Sequence, residues 1–87
     1  WEERKILLVD DVVSNLEYLD LLLRKTKAKT IWAQDGKKAL ELYQNETDID
    51  IIIMDLQMPI MDGYKATRLI KEINPKVPVI IQTAFNE

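Results

Sequence analysis

The sequence contains no cysteine and no histidine, and only two glycines and three prolines among its 87 residues. Without cysteine there is neither a disulfide framework nor a thiolate metal site, a composition compatible with a reducing cytoplasm. Without histidine the commonest general base and the commonest metal ligand are both missing, so any chemistry in this chain is carboxylate chemistry. No apolar run approaches the roughly 20 residues of a membrane span, so a water-soluble piece without membrane contact is expected. Neither sign of charge dominates. Twelve Lys and Arg are scattered among fifteen Asp and Glu, net −3, which leaves no electrostatic footprint for nucleic acid. The chain opens on Trp1, with no initiator Met and no secretory apolar segment, as a piece cut from something longer would. Its length suits one small domain, which buries roughly 60 to 65% of the surface exposed in the unfolded chain.

The most informative stretch is Ile51-Ile-Ile-Met-Asp55-Leu-Gln-Met-Pro59-Ile-Met-Asp62-Gly63. Four consecutive apolar residues, three of them β-branched, are too few for a helix and read as a strand buried on both faces. Asp55 follows at once, and the turn signals Pro59 and Asp62-Gly63 keep the backbone irregular until a helix starts. In open α/β sheets, the carboxyl ends of the strands are where ligands bind. Asp is also common in plain turns, so this stretch alone leaves open a purely strand-ending role for Asp55.

The rest of the chain supplies the partners of that strand. Lys5-Ile-Leu-Leu-Val9 is a second apolar run ended by acid, the pair Asp10-Asp11. Ser14-Asn-Leu-Glu17 has the form of a capping box, and Leu16, Leu19 and Leu23, with Leu22 beside them, recur at helical spacing to about Lys25. Ala28 to Ala33 alternates weakly, as a half-exposed edge strand would, and Asp35-Gly36 stops it. Asp35 is placed to cap a helix from Lys37 to about Asn45, marked by Ala39, Leu40 and Tyr43. The apolar strand spans Asp50 to Met54. Asp62 is placed to cap a helix from Gly63 to Ile73, whose buried stripe is Ala66, Leu69, Ile70 and Ile73. Asn74-Pro75 ends it, and Val77 to Ile81 is a fourth strand with Pro78 near its start.

This alternation implies parallel strands joined by right-handed crossovers, a doubly wound α/β sheet. The most apolar strands, one and three, should be central and the polar second strand an edge, which gives the order 2-1-3-4. The winding direction then reverses between strands one and three, where Asp10, Asp11 and Asp55 converge. Three carboxylates with no basic residue beside them in sequence would repel strongly, and a hard divalent cation resolves the conflict. A small set of oxygen ligands suits Mg²⁺, which keeps several waters and binds few carboxylates. Three acids serving separately as turn and cap residues is the alternative.

With these residues in place the sequence resembles the response-regulator receiver domain of two-component signalling. The resemblance rests on Leu8-Val-Asp10-Asp11, on Met54-Asp55-Leu-Gln-Met-Pro59-Ile-Met-Asp62-Gly63, and on Thr83-Ala84 after the fourth strand, and it covers the whole chain. The wording of Ser14-Asn15-Leu-Glu-Tyr-Leu, Trp32-Ala33, Gly63-Tyr-Lys-Ala-Thr-Arg68 and Gln82-Thr83-Ala84 is most similar to receivers of hybrid sensor histidine kinases. The resemblance implies a flavodoxin-like receiver fold and a phosphorelay role, with Asp55 as the nucleophile that takes a phosphoryl group from a partner's phosphohistidine. It implies that Asp11 binds Mg²⁺ directly, Asp10 mainly through water, and Gln57 through its backbone carbonyl. Thr83 would hydrogen-bond the phosphoryl oxygens, and Ala84 would leave room beside them. The partner would be a histidine kinase or phosphotransfer domain in the cytoplasm, and the chain a phospho-acceptor and not itself an enzyme.

Receivers of this kind continue through a fourth helix, a fifth strand with its switch aromatic and lysine, and a fifth helix. By that pattern residues 1–87 are the N-terminal two-thirds to three-quarters of the domain, and an exposed sheet edge could pair two copies into a homo-oligomer. An aspartate-nucleophile phosphatase is a competing reading, but Gln57 stands where its second acid belongs. A flavodoxin-like cofactor binder lacks its phosphate loop, since Asp10-Asp11 would repel phosphate. A non-phosphorylatable fragment used for protein contacts is supported only by the absent lysine.

Overall fold

The computed structural model describes residues 4–46, 48–56, 58 and 61–82. The described elements are β1 (Lys5–Val9), α1 (Val13–Arg24), β2 (Lys29–Ala33), α2 (Gly36–Asn45), β3 (Ile51–Asp55), α3 (Gly63–Ile73) and β4 (Val79–Gln82). The four strands are parallel and lie in the order β2-β1-β3-β4, as the distribution of apolar residues predicts. Ile6, Leu7 and Leu8 in β1 and Ile52 and Met54 in β3 are completely buried. A strand covered on both faces has no polar side to show, hence the unbroken apolar runs.

Alternation along the strands divides the core in two. Leu7, Val9, Ile52 and Met54 pack with Ala39 of α2 and with Ala66 and Ile70 of α3. Ile6, Leu8 and Ile53 pack on the other face with Leu16 and Leu19 of α1. One helix therefore covers one face and two cover the other, as right-handed crossovers on either side of the reversal require. In β4, Ile80 and Ile81 are both exposed, and they point to opposite faces.

Several local expectations hold to the residue. Asp35 and Asp62 are the N-caps of α2 and α3, their carboxylates accepting from the backbone N–H of Lys38 at 2.7 Å and of Lys65 at 2.9 Å. Helix α3 runs from Gly63 to Ile73. Others are corrected. The capping box at Ser14 is not used, because α1 already starts at Val13, with Val12 at the N-cap and no side-chain cap bond. The β4 ladder begins at Val79 and not at Val77, because the Val77 carbonyl is taken by the Lys71 ammonium. Val77 is buried in the core ahead of the strand, and Pro78 joins the sheet only through its carbonyl, which accepts from Ile52 N–H at 3.0 Å.

One residue of the expected α3 stripe, Ile73, is exposed, and so is Leu22 beside the α1 repeat. Leu22 is turned about 100° from its neighbour Leu23 around the helix axis and faces out, while Leu23 packs against the α1 core. In α3, Ala66 and Ile70 carry the buried stripe, with Leu69 half-buried and Ile73 in the last turn 50% exposed. Ile70→Ala is therefore expected to cost about 2–5 kcal/mol of stability by leaving a cavity, whereas Ile73→Ala should stay within about 0.5 kcal/mol, as surface changes do. Urea denaturation of the two variants checks this, and equal losses would show that Ile73 is part of the core.

Candidate functional site

Parallel register brings the ends of β1 and β3 together. Val9 lies opposite Met54, and one step further along the two strands come Asp10 and Asp55. Asp10 extends the sheet by donating its N–H to the Ala33 carbonyl at 3.1 Å, while Asp55 closes β3 opposite Gln82. Carboxylate oxygens of Asp10, Asp11 and Asp55 all lie within 4.8 Å of one another. The three differ in exposure. Asp10 is 2% exposed, Asp55 half-buried and Asp11 exposed, so the cluster grades from the sheet outward to solvent.

The buried carboxylate is held by its own loop. One Asp10 oxygen accepts from Val12 N–H at 2.9 Å and the other from the Asn15 side-chain amide at 3.2 Å. The first bond is an Asx-type turn, in which a carboxylate satisfies a backbone donor two residues on. This is why α1 starts without Ser14: Asp10 fixes the turn before the helix, and the Val12 carbonyl already accepts from Asn15 and Leu16. The sequence reading missed Asn15 as a positioning residue. Its signal is the spacing, five residues after the buried acid and inside the first turn of the following helix.

The two glycines, Gly36 and Gly63, are the second feature missed. Both occupy the first position of a helix, and both donate their N–H to the segment after β3: Gly36 to the Met61 carbonyl and Gly63 to the Leu56 carbonyl, each at 3.0 Å. A Cβ on Gly63 would meet the Asp55 carbonyl oxygen and come within 2.7 Å of Leu56 Cα, where neither partner can yield. A Cβ on Gly36 would likewise run into the Met61 carbonyl. Only glycine allows the helix starts to sit this close to the backbone that carries Asp55.

Because every strand is parallel, the N-termini of α1, α2 and α3 all open on this rim, and their partial positive charge faces the acids. The donor set is oxygen only. An octahedral ion with ligands at about 2.1 Å places opposite ligands about 4.2 Å apart, a span close to that of the Asp10, Asp11 and Asp55 oxygens. Asp10, Asp11 and Asp55 are thus brought together as the topology predicts, whereas Gln57 and Thr83 lie outside the described residues.

Comparison with known proteins agrees with this arrangement. The family model for the response regulator receiver domain matches residues 6–87, and the chain belongs to that family. Over 85 residues it is 36% identical to the transcriptional regulatory protein ZraR of Klebsiella oxytoca, covering 98% of this chain and 19% of that protein. Over 74 residues it is 40% identical to histidine kinase 3 of Arabidopsis thaliana, covering 85% of this chain and 7% of that one. Among solved structures it is similar to the receiver domain of the sensor histidine kinase PA1611 of Pseudomonas aeruginosa, which has a magnesium ion coordinated in its active-site cleft. That match has a TM-score of 0.88 and 33% identity, and covers 95% of this chain and 69% of the other. The CheX–CheY complex of Borrelia burgdorferi with beryllium fluoride and magnesium matches with a TM-score of 0.91 and 31% identity, covering 99% of this chain and 66% of the other. The chain therefore spans a fifth or less of these curated relatives and about two thirds of these solved receivers.

Gly63→Ala is expected to destabilise the fold by about 1–3 kcal/mol, the usual cost of forcing an extra methyl into packed structure. It should also broaden the backbone NMR signals of Asp55 and Leu56. Loss of stability with unchanged signals there would mean that the strain is relieved elsewhere.

Proposed function

We propose that this chain is the phospho-accepting element of a two-component phosphorelay, with Asp55 as the acceptor and Mg²⁺ as the cofactor. The observation that supports this most is the meeting of Asp10, Asp11 and Asp55 at the ends of the two central strands. Asp10, Asp11 and Asp55 would hold the ion, joined by the Gln57 carbonyl on the family pattern. When bound, Mg²⁺ supplies neutralisation of the charge that three carboxylates and a phosphoryl group bring together. The magnesium in the related Pseudomonas receiver supports the same assignment.

The residues of the chain do the rest. Half-buried at the rim, Asp55 presents a carboxylate oxygen to a phosphorus atom arriving from outside. That oxygen forms the new O–P bond as the N–P bond of the donor phosphohistidine breaks, and the bonding pair returns to the imidazole nitrogen. The product is an acyl phosphate on Asp55 and a free histidine on the donor. The Val12 N–H and the Asn15 amide hold the Asp10 carboxylate in place beside Asp55. Thr83 would donate a hydrogen bond from its hydroxyl to a phosphoryl oxygen. With no histidine in this chain, the donor is a histidine kinase or phosphotransfer domain, in line with the sensor-kinase relatives. Among the described residues no helix is long and apolar enough to cross a membrane, and we place the reaction in the cytoplasm.

Asp55→Asn should abolish the gain of one phosphate that intact-mass analysis finds after incubation with Mg²⁺ and acetyl phosphate, because an amide is not a nucleophile that can form the acyl phosphate. A phosphate still found on an aspartate of that variant would move the acceptor elsewhere. Asp11→Ala should remove measurable Mg²⁺ binding in a calorimetric titration, since one of few carboxylate ligands is lost. Unchanged affinity would rule Asp11 out as a ligand.

A further inference from the structure

Among the described residues neither Asp10 nor Asp11 takes part in an ion pair; the pairs lie elsewhere, joining Arg4 with Asp50, Lys5 with Glu46 and Arg24 with Asp20. The buried Asp10 carboxylate is met instead by two neutral donors, the Val12 backbone N–H at 2.9 Å on one oxygen and the Asn15 side-chain amide at 3.2 Å on the other. A carboxylate accepts, so the nitrogen end of the Asn15 amide faces it. The two donors are not equivalent. The Val12 N–H and the packing around Asp10 already fix the direction of the carboxylate, because the Asx-type turn closes within two residues. Asn15 is itself held at the helix start, its backbone N–H donating to the Val12 carbonyl at 3.0 Å. Its side-chain amide therefore adds less to direction than to charge: it brings partial positive charge to a buried anion that has two more carboxylates within 4.8 Å.

Resting on the Mg²⁺ reading above, we propose that Asn15 tunes the cation site downward: its amide stabilises the acid cluster in the metal-free state and thereby lowers the affinity for Mg²⁺. The sign follows from comparing two states. Without metal, the burial of one carboxylate beside two others is offset by dipoles, those of the Val12 N–H, the Asn15 amide and the nearby helix starts. With metal, the cation neutralises the same charge, and the pull of the amide on the Asp10 oxygen is worth less. A group shifts a binding equilibrium by the difference in its interaction with the two states, and here the difference favours the metal-free one. The amide also occupies one lone-pair direction of Asp10 Oδ2, leaving fewer for the ion or for a water that the ion carries. Groups that support metal ligands ordinarily act through orientation, and their loss weakens binding. Where a backbone bond already fixes the orientation, loss of the donor has the opposite effect. The consequence is a site that stays folded without its ion and lets the ion exchange.

Calorimetric titration with Mg²⁺ and thermal unfolding over a range of Mg²⁺ concentrations, on the full chain and two variants, test this. Asn15→Leu fills a similar space without a donor, and Asn15→Ala leaves room for a water that donates in its place. Binding should tighten. For Asn15→Leu the Mg²⁺ Kd should fall roughly threefold to tenfold, a share of what one hydrogen bond to a charged group contributes, and for Asn15→Ala it should fall by less. Without Mg²⁺ the Tm of Asn15→Leu should lie below that of the unaltered chain, and the deficit should narrow as Mg²⁺ is raised, since tighter binding to the folded state adds more stability. An unchanged or higher Kd in Asn15→Leu overturns the proposal, as does a Tm deficit that Mg²⁺ leaves constant, the mark of a purely structural role. Should Asn15→Leu fail to fold even with Mg²⁺, the Kd of Asn15→Ala decides by the same signs. If the unaltered chain itself takes up no Mg²⁺, the cofactor reading fails and the proposal with it, a result distinct from any difference between variants.

Discussion

The acid cluster at the rim depends on the parallel pairing of β1 with β3. Their register, with Ile6 opposite Ile51 and Val9 opposite Met54, is set by apolar residues that must be buried on both sides. A slip of one residue would exchange the two faces of a strand and bring its acid to a different height. The pairing is therefore the constraint that makes a cluster of the adjacent Asp10 and Asp11 with Asp55, which lies 45 positions after Asp10. Repulsion among them is outweighed by packing, since the apolar area buried in β1 and β3 stabilises at about 25 cal/mol per Å². The fold thus holds together side chains that would otherwise drift apart. A cation site requires the same thing.

The convergence of Asp10, Asp11 and Asp55 was legible in the sequence because it follows from few rules. Two acid-ended apolar runs, alternation with helices, and the handedness of crossovers leave little choice of where the strand ends meet. The caps at Asp35 and Asp62 were legible because a capping bond is local, closed within three residues. Ser14 shows where local rules stop. Its capping-box pattern is genuine as sequence, but the buried Asp10 carboxylate organises the turn first and the helix begins before Ser14 can act. At Ile73 and Leu22 periodicity identifies a helix, but not how far the sheet beneath it extends or how wide the covered stripe is. Val77 was misplaced in a strand because an apolar, β-branched residue looks the same in a strand and in the core just before one.

The glycines and Asn15 were missed for a different reason. What makes Gly63 necessary is the proximity of the Asp55 carbonyl and Leu56, and a single sequence carries no measure of how closely two backbones pass. What makes Asn15 useful is the direction of the Asp10 side chain, which is settled only once the strand, the turn and α1 are in place. Such features belong to the supporting layer of the site, which fixes the Asp10 carboxylate and the backbone that carries Asp55.

The same glycines bear on how the rim can be watched at work. The first amide protons of a helix have no acceptor within it, so they normally exchange quickly with solvent. In α2 and α3 the leading amides, those of Gly36 and Gly63, are instead bonded to the Met61 and Leu56 carbonyls in the segment that follows Asp55. Their exchange rates therefore do not report on the helices, which can stay formed while these two bonds open. They report on whether Leu56 and Met61 are seated against the helix starts, which native-state exchange can resolve from global unfolding. Two amides far apart in sequence thus act as built-in gauges of how Leu56 and Met61 sit.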